Sequence, residues 1–288
     1  MTTVRAAESL PGETLYSVKL LTERAQLKLA SLDKKAVLHT EFAGRRLQEA
    51  SDLQASSTDA DTNAPLVHEA IEAYKQEVAS AGDSLRQLKD EGSESALATA
   101  ASVQQNLQAI DTNIDAALAE SSTSDATQDA LDAKEITSEV SDVATTVVVE
   151  VHEEDQSEIS ATELKQMFKT ELGQIEARQR FDLERIDVIR ATLADPAIDY
   201  TNFTVPSGDE LLGYAYPVAA VDSLLAQAMN SFAVGGYRSA FATLQEIDST
   251  LLGIEAKLAQ IEIMIMNARA QTPAVIVSEP ATDGAETL

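Results

Sequence analysis

The chain has 288 residues, 44% of them hydrophobic, and its 48 acidic against 21 basic residues give a formal net charge of −27. A surface this negative repels phosphate backbones and anionic headgroups, which disfavours nucleic-acid binding and leaves basic protein partners or weakly held divalent cations. Cys and Trp are absent, which removes disulfides, thiolate metal sites and cysteine nucleophiles and leaves a core of Leu, Ile, Val and Ala.

Residues 1–8 are expected to be disordered. Pro11-Gly12 makes a turn, after which Leu15, Val18, Leu21, Ala25, Leu29 and Leu32 recur at helical spacing. They predict an amphipathic helix whose stripe is faced by Leu38, Phe42 and Leu53 of the next helix. Asp33 is the expected cap of that second helix, and Arg45 and Arg46 are expected to pair with acids on a neighbouring helix. The segment STDADTN then places Asp59, Asp61 and Asn63 at the spacing that begins a calcium loop. Ala64 stands where such a loop needs Gly, and Ala70 where it needs Glu. An Asp-rich connection is the simpler reading, with weak calcium binding as the alternative.

Asn63-Ala64-Pro65 is a good helix start, and the stripe Val67, Ile71, Tyr74, Val78, Ala81, Leu85, Leu88 follows until Gly92. A further helix carries Val103, Leu107, Ile110, Ile114 and Leu118. In the next region the β-branched run Thr145 to Val151 could form a strand, but helix is the preferred reading. Ile136, Val140, Val143, Val147 and Val151 continue one helical face, and no partner strand is evident. The acidic stretch around residue 156 marks a boundary. A long helix is predicted over 161–194 and stopped by Asp195-Pro196. The connection 195–217 holds Tyr200, Phe203, Tyr214 and Tyr216, a third of the 12 aromatic residues, and is a candidate partner patch. A short helix over 218–234 and a Gly235-Gly236 turn lead to the last helix. There Leu244, Ile247, Leu251, Ile254, Leu258, Ile261 and Ile265 repeat with the 3.5-residue period of left-handed helix packing. The acidic tail 272–288 is expected to be disordered.

These elements predict an all-α fold, an elongated bundle of long antiparallel amphipathic helices with coiled-coil-like packing. The expected division is an N-terminal helical domain over 9–156 and a C-terminal long helical hairpin domain over 157–271. No run of apolar residues is long enough for a transmembrane helix.

The opening stretch carries a resemblance. Leu10-Pro11-Gly12-Glu13, Leu15-Tyr16 and Lys19 are followed by Lys34-Lys35-Ala36, Leu38-His39, Glu41-Phe42-Ala43, Arg45-Arg46-Leu47 and Glu49. This pattern resembles a family of bacterial extracytoplasmic helical domains of unknown function, numbered 5667, over about residues 9–120. The resemblance implies an envelope-exposed domain. Its members usually follow a membrane-spanning segment, some in proteins resembling anti-sigma regulators. No catalytic residue carries over.

His39, His68 and His152 lack a second His at i+3 or i+4, and Glu-x-x-His does not occur. G-x-S-x-G, P-loop and G-x-G-x-x-G motifs are missing. Neither catalysis nor a cofactor is expected. The expected function is a non-enzymatic structural or interaction module, extracytoplasmic at a bacterial cell envelope, with a protein partner or self-association. The alternatives are a sensory domain that binds a ligand or divalent cation, and a self-assembling coiled-coil subunit.

Overall fold

The computed structural model describes residues 9–56, 60–120, 124–155 and 157–271. Among the described residues lie eight α-helices and no strand. They are α1 (Tyr16–Leu29), α2 (Leu32–Ser56), α3 (Ala60–Asp90), α4 (Ala96–Glu120), α5 (Ser124–Asp155), α6 (Glu158–Leu193), α7 (Gly208–Ala233) and α8 (Tyr237–Gln271). The two ends expected to be disordered, and the residue at 156, lie outside the described residues.

Several helix starts differ from expectation for local reasons. α2 begins at Leu32, so Asp33 sits in its first turn, where the Ser31 hydroxyl holds its carboxyl below the usual range. The Lys35 amide donates to the Ser31 carbonyl at 2.9 Å. α3 begins at Ala60, upstream of the expected Asn63-Ala64-Pro65 start, and encloses Pro65. The β-branched run Thr145 to Val151 is helical within α5, as preferred. α7 begins at Gly208 rather than near 218. A capping box sets that start, with Glu210 N donating to Ser207 Oγ at 3.1 Å and Ser207 N donating to Glu210 Oε2 at 2.7 Å. Pro217 lies inside α7. Its ring faces the carbonyl of residue i−4, which here is Gly213.

Successive helices alternate in direction, so helices two apart run parallel. Asn106 of α4 donates to Thr40 of α2 at 2.8 Å, and Gly44 of α2 lies beside Ile110 of α4. Gln104 and Asp111 of α4 meet Glu171 and Arg178 of α6. Tyr74 of α3 is hydrogen-bonded to Thr137 of α5. At Gly82 of α3 a Cβ would stand 3.1 Å from Val140, so these two helices approach closely only because the side chain is missing.

The apolar stripes of α3 and α8 are buried at every position named above. The buried apolar cluster runs continuously from α2 through α8. Where α5 ends and α8 begins, His152, Tyr237, Phe232, Phe168 and Phe241 form a chain of ring contacts, with Phe168 stacked on Phe232 at 4.1 Å. Tyr74 is fully buried, and Thr137 retains a second partner in the Ala133 carbonyl at 2.6 Å. Tyr74→Phe therefore leaves no orphaned donor, since Thr137 still donates to Ala133, and is expected to lower stability by about 1 kcal/mol. Urea unfolding checks this, and a loss above about 3 kcal/mol contradicts it.

Candidate functional site

α1 faces the opposite way from its expected orientation. Its buried residues are Tyr16, Lys19 and Glu23. Its apolar stripe points to solvent, with Val18 47%, Leu21 68% and Leu29 89% exposed. Among the described helices α1 packs only on α2. The reason lies in α2. Ala43, Leu47, Ala50 and Leu53 belong to the main apolar cluster, which leaves Arg46 and Glu49 to meet α1.

The result is a buried clamp of charges. Arg46, 1% exposed, bridges Glu23 of α1 and Glu49 of its own helix. Lys19 Nζ donates to Glu49 Oε1 at 2.5 Å and to the Ser9 carbonyl at 3.3 Å. The Tyr16 hydroxyl donates to Glu49 Oε2 at 3.0 Å. Arg45 reaches Glu23 Oε1 at 3.3 Å while its guanidinium lies over the Phe42 ring. Burial pulls the Arg46 guanidinium down, but Glu49 and Glu23 outweigh it and hold it above its ordinary value. Arg45 and Arg46 both pair with an acid of a neighbouring helix, Glu23 of α1, as expected. The pairs of Arg46 are buried, because α1 lies over them.

A second polar region fills the seam where α4 and α5 meet α6 and α8. A chamber of about 60 Å3 is lined by Asp111, Asp142, Glu171, Arg178, Gln245 and Asp248 among others. Arg178 pairs with Asp248, Asp111 and Glu255. Lys134 pairs with Asp115 and Glu255. Acids outnumber these bases, and burial pushes the surplus up. The Asp142 carboxyl rises to about 7 through burial and the nearby Asp248. Glu171 rises to about 8 by burial, although the Thr145 hydroxyl donates to it at 2.6 Å. Asp182 is fully buried with neither oxygen hydrogen-bonded, and its carboxyl rises to about 7 through burial and Glu255. These carboxyls take up and release protons near neutral pH. Among the described residues no group of three or more His, Cys, Asp or Glu is arranged to hold a metal ion.

The residues singled out in the sequence are dispersed. Asp59 and the side chain of Asp61 lie outside the described residues, and Asn63 donates to the Leu53 carbonyl at 2.9 Å, tying α3 to the end of α2. Tyr200 packs against the core and donates to the Thr192 carbonyl at 3.3 Å. Phe203 is half-buried. Tyr214 and Tyr216 stand on α7 rather than on a loop; Tyr214 packs inward and Tyr216 is 71% exposed. Each histidine joins two helices separately, His39 to Glu77, His68 to Asp129 and His152 to Ser160. What the sequence reading overlooked is the inner face of α1. Tyr16, Lys19 and Glu23 are spaced i, i+3, i+7, as regular a stripe as the apolar one.

The family model for a domain of unknown function, DUF5667, matches residues 8–180. The chain belongs to the DUF5667 family. No curated protein and no solved structure matches it. The DUF5667 match takes in the whole clamp and continues past α5 into α6, so it also includes Asp111, Asp142, Glu171 and Arg178 of the seam. Tyr16, Lys19, Arg45, Arg46 and Glu49 are all among the residues that carry the resemblance. In this DUF5667 chain those residues hold α1 in place. No helix among the described residues is long and apolar enough to cross a membrane.

Proposed function

We propose that this DUF5667 chain is a non-enzymatic interaction module of a bacterial cell envelope, exposed outside the cytoplasmic membrane. The observation that carries the reading is the orientation of α1. A helix clamped through its charged face and turned apolar side outward presents Leu15, Val18, Leu21 and Leu29 to whatever meets it. The placement outside the membrane rests on the resemblance of residues 10–49, and the absence of Cys fits it.

The reading is tested by placing a photo-crosslinking residue at position 21 in the source cell, with position 69 on the outer side of α3 as control. A specific adduct is expected at 21 and none at 69, and the adduct disappears when Val18 and Leu29 are changed to Glu. No adduct at 21 sinks the reading, and recovery of the protein from the cytoplasm sinks its envelope placement. Because Leu21 is exposed, Leu21→Glu is expected to change stability by no more than about 0.5 kcal/mol. A thermal melt checks this, and a larger loss shows the face to be structural.

A further inference from the structure

We infer that the seam between α4–α5 and α6–α8 is a proton-controlled joint, closed while its buried carboxyls hold protons and splayed at one end when they ionise. This joint is independent of whatever meets α1, which among the described helices touches only α2. The seam changes character along its length. At one end His152 of α5, Phe168 of α6, Phe232 of α7 and Tyr237 and Phe241 of α8 are in ring contact, and His152 is hydrogen-bonded to Ser160 of α6 at 2.8 Å. In the middle lies the chamber of about 60 Å3. At the other end the walls part around a groove of about 310 Å3, lined by Leu118 of α4, Thr127 of α5, Phe181 of α6 and Met266 of α8 among others. Contact is tight at the aromatic end and loosest at the far end, the shape of a joint that pivots on its rings.

The carboxyls supply the force. Among the described residues no cation stands beside Asp142 of α5 or Glu171 of α6. Gln245 bonds Asp142, while Thr145 and Gln104 donate to Glu171 Oε1 at 2.6 and 3.4 Å. Asp182 of α6 is fully buried with neither oxygen hydrogen-bonded. The groups facing these three come from every neighbouring helix. α3 brings Tyr74 behind Thr137, and α4 brings Asp111 and Asp115. α5 adds Lys134 and Glu139, α6 adds Arg178 and Arg185, and α8 adds Asp248, Glu255 and Glu262. The cations are already engaged, Arg178 by Asp111, Asp248 and Glu255, and Lys134 by Asp115 and Glu255. Arg185, 3.9 Å from Asp182, gives its hydrogen bonds to Glu262. Ionisation therefore puts unpaired charge on both faces of the seam, Asp142 on one and Glu171 and Asp182 on the other. Splaying admits water to all three and relieves the cost. Asp142 and Asp182 hold their protons up to about 7 and Glu171 up to about 8. The closed seam binds protons that the hydrated seam releases, so falling pH closes it and rising pH opens it.

The chain lacks Cys, so cysteines introduced at exposed positions take spin labels without competition. Gln128→Cys with Asn267→Cys reports the far end, and Glu154→Cys with Ser239→Cys reports the aromatic end. Double electron–electron resonance on the full chain is expected to give a single distance for each pair at pH 5. By pH 9 a longer distance is expected to replace it at the far end, half grown between about 7 and about 8, with the aromatic end unchanged. Neutralising the three carboxyls with Asp142→Asn, Glu171→Gln and Asp182→Asn is expected to keep the short distance throughout. If that triple variant does not fold, Glu171→Gln alone is expected to flatten the transition and move it to higher pH. A far-end distance that does not lengthen by pH 9 overturns the inference. Equal lengthening at both ends also overturns it, since that is loss of the fold rather than motion about a pivot. So does a transition that neutralisation leaves unaltered.

Discussion

Arg46→Met is expected to release α1 from the bundle. Arg46 is the one group that touches both Glu23 and Glu49, and it is 1% exposed. Removing one member of a buried ionic set leaves the others uncompensated and costs about 3–5 kcal/mol. The chain has a cheap way to relieve that cost. α1 contacts no described helix but α2, so it can swing into water and rehydrate both carboxylates while α2 to α8 remain packed. The expected result is loss of hydrogen-exchange protection over residues 16–29, with protection in α3 and α8 unchanged. Adding Glu23→Gln to Arg46→Met removes the carboxylate that has lost its buried partner, while Glu49 keeps Lys19 and Tyr16, and is expected to restore much of the protection. Unchanged protection in the single variant contradicts the clamp.

The second large effect is expected at Asp182, where the substitution stabilises. This carboxyl is fully buried without a hydrogen bond, and the nearest guanidinium, Arg185, stands 3.9 Å away. Its folded value of about 7 lies well above the ordinary carboxylate value of about 4. Between those two values the folded chain holds a proton that the unfolded chain has lost, so stability falls as pH rises. The contribution is complete below about pH 4 and is lost once pH passes through about 7. Asp142 and Glu171, raised to about 7 and about 8, act in the same direction. Asp182→Asn is neutral throughout. It is expected to gain about 4 kcal/mol over wild type at pH 8, about 1 kcal/mol at pH 5 and almost nothing at pH 4. Thermal melts of both proteins across that range decide the matter, and a gap that does not grow with pH rules the argument out.

The helices that bury large aliphatic residues on one side were legible. In α3 and α8 the 3-4 spacing names both the helix and its buried face, because only one stripe is apolar and the bundle has a place for it. α1 shows the limit of that inference. Periodicity says which residues share a face, and the neighbour decides which face is covered. Opposite Arg46 and Glu49, the stripe Tyr16, Lys19, Glu23 is the better match. α7 is longer than the helix read over 218–234, since 208–217 was assigned to the preceding connection. The capping pair Ser207 and Glu210 was present in the sequence and marks the true start. The seam was not legible at all. Asp111, Asp142, Glu171 and Asp248 stand on four helices, each on a face that looks solvated when its helix is read alone. Helices inside a layered bundle are covered on more than one side, and that second covering is a property of tertiary packing.

The clamp also bears on how the protein meets heat. Unfolding takes up heat capacity in proportion to the apolar surface it exposes, and α1 covers α2 mainly with charged groups and a tyrosine. Its release is therefore nearly silent in a calorimeter, hidden beneath the melting of the aliphatic bundle. The cost of stripping water from ions also shrinks as temperature rises, so warming firms the attachment of α1 relative to the packing below it. A rise in temperature is a poor way to free this helix, and its outward leucines are held at a fixed angle over the range in which the rest of the molecule softens.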